Sequence, residues 1–93
     1  MAKLLTLAEI QAKASSLSDW QLEDNKLKTT RTFKDFIQAI DFVNKLVEPS
    51  ESAGHHPDIE ISYNKVKITL TTHDAGGLTQ NDFDLAGVIS QII

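Results

Sequence analysis

Residues 59–70 read IEISYNKVKITL, and the alternation within them decides the fold. Ile59, Ile61 and Tyr63 alternate with polar residues, as do Val66, Ile68 and Leu70, but the apolar set switches from odd to even numbers. Period-two alternation marks strands with one buried face. An even-length turn absorbs the parity switch and keeps both apolar sets on one side. A two-residue turn at Asn64-Lys65 meets that need. In this register Tyr63 faces Val66, Ile61 faces Ile68, Ile59 faces Leu70 and, continuing outward, His56 faces His73. Directly opposed residues hold their β-carbons about 4.5–5.5 Å apart. Pro57 frays the ladder here because it has no amide hydrogen to donate, yet the two segments still emerge side by side. His55 follows by adjacency. All three histidines of the chain are therefore expected at the open end of one hairpin, with His73 turned away from the core toward the outer face or rim.

Outward from this hairpin the chain repeats the same logic. Trp20 and Leu22 alternate, then Leu27, Thr29, Arg31 and Phe33, around a turn at Glu23-Asp24-Asn25-Lys26. Thr6-Leu7-Ala8-Glu9 has the pattern of a capping box, and Leu7, Ile10, Ala14 and Leu17 follow helical spacing, so a first helix is expected over 7–17. Asp35 opens the widest apolar stripe, from Phe36 through Ile40 and Val43 to Val47, which Pro49 is expected to end. A polar loop from Ser50 to Gly54 then leads to the histidines. Gly76-Gly77 breaks the chain. Thr79 to Asp82 is a second capping box, opening a terminal helix through Phe83, Ala86, Ile89 and Ile92-Ile93. The expected order is α-β-β-α-β-β-α: a four-stranded antiparallel sheet with three helices on one face, an α+β fold in a single domain spanning 1–93.

Composition narrows the function. Ninety-three residues bury only about 60–65% of the surface exposed by the unfolded chain, so self-association is an expected supplement to stability. Nine Lys and Arg against thirteen Asp and Glu give a net charge of −4, with no basic cluster. That speaks against direct nucleic-acid or anionic-membrane binding. No cysteine is present, which excludes thiolate chemistry and cysteine metal ligands. The start of the chain lacks an apolar signal run and no segment approaches the ~18 apolar residues of a membrane span, so a cytoplasmic location is expected.

Histidine is the side chain whose ordinary pKa, about 6.5, lets it give and take protons near neutrality. Here three lie among carboxylates: Glu51, His55, His56, His73 and Asp82. The plain alternative is a polar hairpin end with its imidazoles bonded to backbone. A zinc site is a second alternative, but consecutive His55 and His56 diverge in an extended chain and no HExxH spacing is present. Proton transfer or ring binding is the third. Asp82 also has a purely structural role open to it, as the third helical residue completing the Thr79 cap.

The same residues resemble the pterin-4a-carbinolamine dehydratase family. The pattern Glu51-x3-His55-His56-Pro57-x5-Tyr63-x9-His73-x8-Asp82 fills every position of the family's motif, and the likeness extends over about residues 20–92. The resemblance implies this α+β fold and a homodimer or homotetramer. It implies dehydration of 4a-hydroxytetrahydropterin to quinonoid dihydropterin, a pterin-recycling hydro-lyase reaction with no metal and no further cofactor. By carry-over, His55, His56 and His73 are catalytic, and Gly54, Thr71, Thr72 and Asp74 join the histidines in contacting the pterin; Glu51 and Asp82 are expected to orient imidazoles. A rival role of another class is a non-catalytic binding or scaffolding module, a dimerisation partner or assembly factor, working through the helical surface.

Overall fold

The computed structural model describes residues 3–92; Met1 and Ala2, together with Ile93 from the expected terminal helix, lie outside them. Strands β1 (Gln21–Glu23), β2 (Lys26–Thr32), β3 (Asp58–Ser62) and β4 (Lys65–Leu70) form one antiparallel sheet in the order β1-β2-β4-β3. The two hairpins thus meet through their second strands. Helices α1 (Leu7–Ala14), α2 (Phe36–Lys45), α3 (Val47–Ala53) and α4 (Gln80–Ser90) complete the expected order, the middle helix being bent into two segments.

One face of the sheet is apolar, as the alternation requires. Leu27, Val66, Ile68 and Leu70 are buried there against Phe42, Leu46, Leu85 and Ile89 from the helices. Arg31 lies among them and serves a different purpose. Its guanidinium sits 4.7 Å from the centre of the Phe42 ring and donates to the carbonyls of Ile89 and Ile92, closing the C-terminal end of α4. Trp20 reaches the same end, its indole N–H 2.8 Å from Ser90 Oγ.

The first hairpin turns at Asp24-Asn25, both with left-handed φ (53° and 61°), as a tight hairpin turn between twisted strands demands. The second turns one residue earlier than expected. Ser62 pairs with Lys65, Ile61 with Val66 and Ile59 with Ile68, so Tyr63-Asn64 forms the turn. Its cause lies outside the hairpin. The Asn64 amide donates to Phe33 O at 2.7 Å while Phe33 N–H donates to Asn64 O at 2.8 Å, and this clamp holds Tyr63 at φ 53°. A shift of two in pair number preserves which side chains face the core.

Three helix limits also differ from expectation. Helix α1 stops at Ala14 rather than residue 17 because the Ser15 and Ser16 hydroxyls bond back to the carbonyls of Ala12 and Lys13, competing with further helix. Pro49 does not end the middle helix. The chain breaks at Leu46 and restarts, placing Pro49 in the first turn of α3, where its missing N–H costs nothing. Residues 50–53, expected as loop, are therefore helical. At the other terminus α4 ends at Ser90, and Ile92 packs on the core from beyond it.

Candidate active site

The end of α3 delivers the first two histidines. Gly54 has φ 61° and donates its N–H to Glu51 O, while His55 N–H donates to Ser50 O at 3.1 Å. These are the paired bonds of a Schellman motif, which reverses the chain just past a helix and favours glycine at the left-handed position. The reversal aims the next two side chains in opposite directions. His55 goes inward, where its Nε2 lies 2.6 Å from Asp82 Oδ1. His56 goes outward to Glu51, one turn back on α3, at 2.5 Å.

Asp82 is fully buried at the third position of α4, and its carboxylate is satisfied on every side. Oδ2 accepts from Thr79 N–H at 2.9 Å and from the Thr72 hydroxyl at 2.8 Å, leaving Oδ1 for the imidazole. Three donors converging on one carboxylate suit its acceptor-only chemistry. Asp82 therefore both caps its helix and accepts the hydrogen bond of His55 Nε2–H. Whenever that ring is neutral, Nδ1 is its acceptor nitrogen.

His73 arrives by another route. Past β4 the chain folds into a short 3₁₀ turn, His73–Ala75, in which Thr72 O accepts from Ala75 N–H and Gly76 N–H. The His73 ring is largely exposed, with Asp58 Oδ2 3.9 Å from its Nε2. It was expected to face His56 directly. Extending the observed register past Asp58 instead puts His56 opposite Thr71 and His55 opposite Thr72, and His73 joins from one step beyond. All three histidines nonetheless line one depression of about 260 Å³, together with Gly54, Thr71, Thr72 and Asp74.

Those seven are the residues expected around a pterin, though the Thr72 hydroxyl is turned inward to Asp82. Two polar partners escaped the sequence reading. Asp58 carried no signal beyond following Pro57, and Thr79 was legible only as a helix cap. Tyr63 lies at the closed end of the hairpin, away from the histidines. Among the described residues no group of three or more His, Cys, Asp or Glu is arranged to hold a metal ion, and no helix is long and apolar enough to cross a membrane.

Known proteins are similar to this chain in sequence and in fold. Residues 3–92 match the family model described as Pterin 4 alpha carbinolamine dehydratase. A protein of Trichormus variabilis, provisionally named a pterin-4-alpha-carbinolamine dehydratase, is 78% identical over 92 residues, covering 99% of each chain. One of Nostoc punctiforme with the same provisional name is 76% identical over 92 residues, again with 99% of each covered. Among solved structures, a Brucella melitensis protein described as a transcriptional coactivator/pterin dehydratase superimposes with a TM-score of 0.89 at 32% identity, over 95% of this chain and 96% of that one. A more distant likeness in fold, with a TM-score of 0.63 at 24% identity over 78% and 84% of the two chains, is to a pterin dehydratase-like protein described as a RuBisCO assembly factor of the alpha-carboxysome. With a family model matched over residues 3–92 and a relative 78% identical over 99% of each chain, the chain belongs to the pterin-4-alpha-carbinolamine dehydratase family.

Proposed function

We propose that this protein is a hydro-lyase that dehydrates 4a-hydroxytetrahydropterin to quinonoid dihydropterin by proton transfer between histidines and substrate. The observation that carries this is the His55–Asp82 pair, of which His55 lines the depression that His56 and His73 also line while Asp82 holds it from the buried side. Dehydration breaks the C4a–O bond. The leaving hydroxyl takes a proton and departs as water, and a ring nitrogen gives up its proton as the new C=N bond forms. A positioned acid and a positioned base each contribute about 10²–10⁴-fold to such a step.

The geometry suggests which ring does what. His55 has Nε2 committed to Asp82, so Nδ1 is the nitrogen left for the substrate, and it takes the ring proton. His73, an exposed residue that also lines the depression, protonates the leaving hydroxyl. His56, tied to Glu51, holds the pterin. Gly54, Thr71 and Asp74 complete the wall that shapes the site. A stopped-flow assay of dehydration tests this directly. The protein should accelerate the reaction, and His55→Ala or His73→Ala should each lower kcat by about 10²-fold or more while pterin binding weakens far less. Wild-type turnover in both variants would overturn the assignment.

A second reading is a binding module, supported by the exposed Phe36, Ile37 and Val47 on α2 and α3. It predicts that His55→Ala keeps any partner captured through that surface. In the cell we place the protein in the cytoplasm, as a homodimer or homotetramer, a state that sedimentation would read.

A further inference from the structure

Behind the His55–Asp82 pair runs a second layer of hydroxyls. The Thr72 and Thr79 oxygens are 2.8 Å apart, and both residues are at least nine-tenths buried. Their bonds have only one consistent direction. Thr72 has a single proton and spends it on Asp82 Oδ2, so the proton between the two threonines must belong to Thr79. The chain therefore reads Thr79 O–H to Thr72 Oγ1, Thr72 O–H to Asp82 Oδ2, and His55 Nε2–H to Asp82 Oδ1.

Thr72 is also fixed from behind. Its carbonyl accepts from Ala75, Gly76 and Gly77 N–H, and its own N–H donates to Gly77 O at 3.0 Å. The same residue thus anchors the turn that carries His73 and, through its hydroxyl, the carboxylate that holds His55. Hydrogen-bonded chains of this kind strengthen one another in a low-dielectric interior, and removing one member leaves its neighbours unsatisfied.

We infer that Thr72, backed by Thr79, is a positioning residue: its hydroxyl holds the Asp82 carboxylate so that Oδ1 always receives His55 Nε2–H, which fixes the imidazole tautomer and presents Nδ1 to the substrate. Its side-chain hydroxyl does not touch the substrate. This rests on the proposed role of His55, but the tautomer can be read without any turnover.

Nitrogen-15 spectra of the imidazole rings provide the test. In the wild type and in Thr72→Ser, neutral His55 should be protonated at Nε2 alone. In Thr72→Val, which keeps the shape and removes the donor, the two tautomers should mix. With substrate, Thr72→Val should lose at least about tenfold in kcat with little change in KM, a fraction of the loss that follows complete failure of tautomer control, and Thr72→Ser should restore it. Should Thr72→Val fail to fold, Thr79→Val removes only the outer donor and should shift the tautomer ratio in the same direction by less. An unchanged tautomer in whichever of these variants folds overturns the positioning role. A shifted tautomer in a protein with no dehydratase activity at all would uphold it and sink the proposed reaction instead.

Discussion

His55 Nε2 lies 2.6 Å from Asp82 Oδ1, across 27 residues of sequence, and the same carboxylate caps the helix on which Asp82 sits. One side chain thereby serves stability and site geometry together. Fold and chemistry meet at this carboxylate, so damage to it should show in both.

Asp82→Asn should separate the two poorly. The amide is isosteric but turns one acceptor into a donor, which then opposes either the imidazole N–H or the Thr72 and Thr79 donors. A loss of about 1–3 kcal/mol is expected from urea denaturation. Dehydration should fall by about 10²–10⁴-fold at temperatures where the variant remains folded.

Gly54→Ala probes the local delivery of His55 and His56. No atom stands within 4 Å of the added methyl, so the cost comes from φ 61° alone and should be about 1–2 kcal/mol. Relief of that strain would unwind the Schellman reversal, so kcat should drop more than thermal stability suggests. Calorimetry alongside the kinetic assay measures both.

Sequence patterns made much of this architecture legible, and the failures have separate causes. Both hairpins, both capping boxes and the convergence of three histidines follow from parity and spacing, which are local properties. The second turn was misplaced because the Phe33–Asn64 clamp is a contact over 31 residues that no feature of the hairpin announces. Pro49 reads as a stop because proline looks the same at the end of one helix and in the first turn of the next. The inward turn of Thr72 depends on its bonds to Thr79 and Asp82, seven and ten residues on, and nothing in Thr71-Thr72-His73 itself reveals which hydroxyl would be spent on Asp82.

Arg31 offers a control remote from the histidines. Arg31→Ala removes two charge-assisted bonds to the end of α4 and the contact over Phe42, and should cost about 2 kcal/mol. Because the site lies at the opposite end of α4, kcat at low temperature should stay within about twofold of wild type. Thermal unfolding and initial rates read the two effects separately.

The exposed pair Lys28–Glu23, at 2.7 Å, gives a pH signature. The hydrogen bond from Lys28 holds the Glu23 carboxyl below its ordinary 4.5, and the bond to Glu23 holds the Lys28 ammonium above its ordinary 10.5. A depressed carboxyl stabilises the fold above its unfolded value and loses that contribution as pH falls through the folded one. A raised ammonium stabilises below its unfolded value and loses it as pH rises through the folded one. Glu23→Gln should therefore lie slightly below wild type in urea midpoint across the interval between those two limits, converge with it beyond either, and lose the difference in high salt.

The shared site itself is most directly tested by titrating an oxidised, unreactive pterin into the protein while following the ring resonances of all three histidines. His55, His56 and His73 should shift together along one saturation curve, and Asp82→Asn should weaken that curve without splitting it. Rings that respond at different concentrations, or do not respond while the pterin binds elsewhere, would contradict a single histidine-lined site.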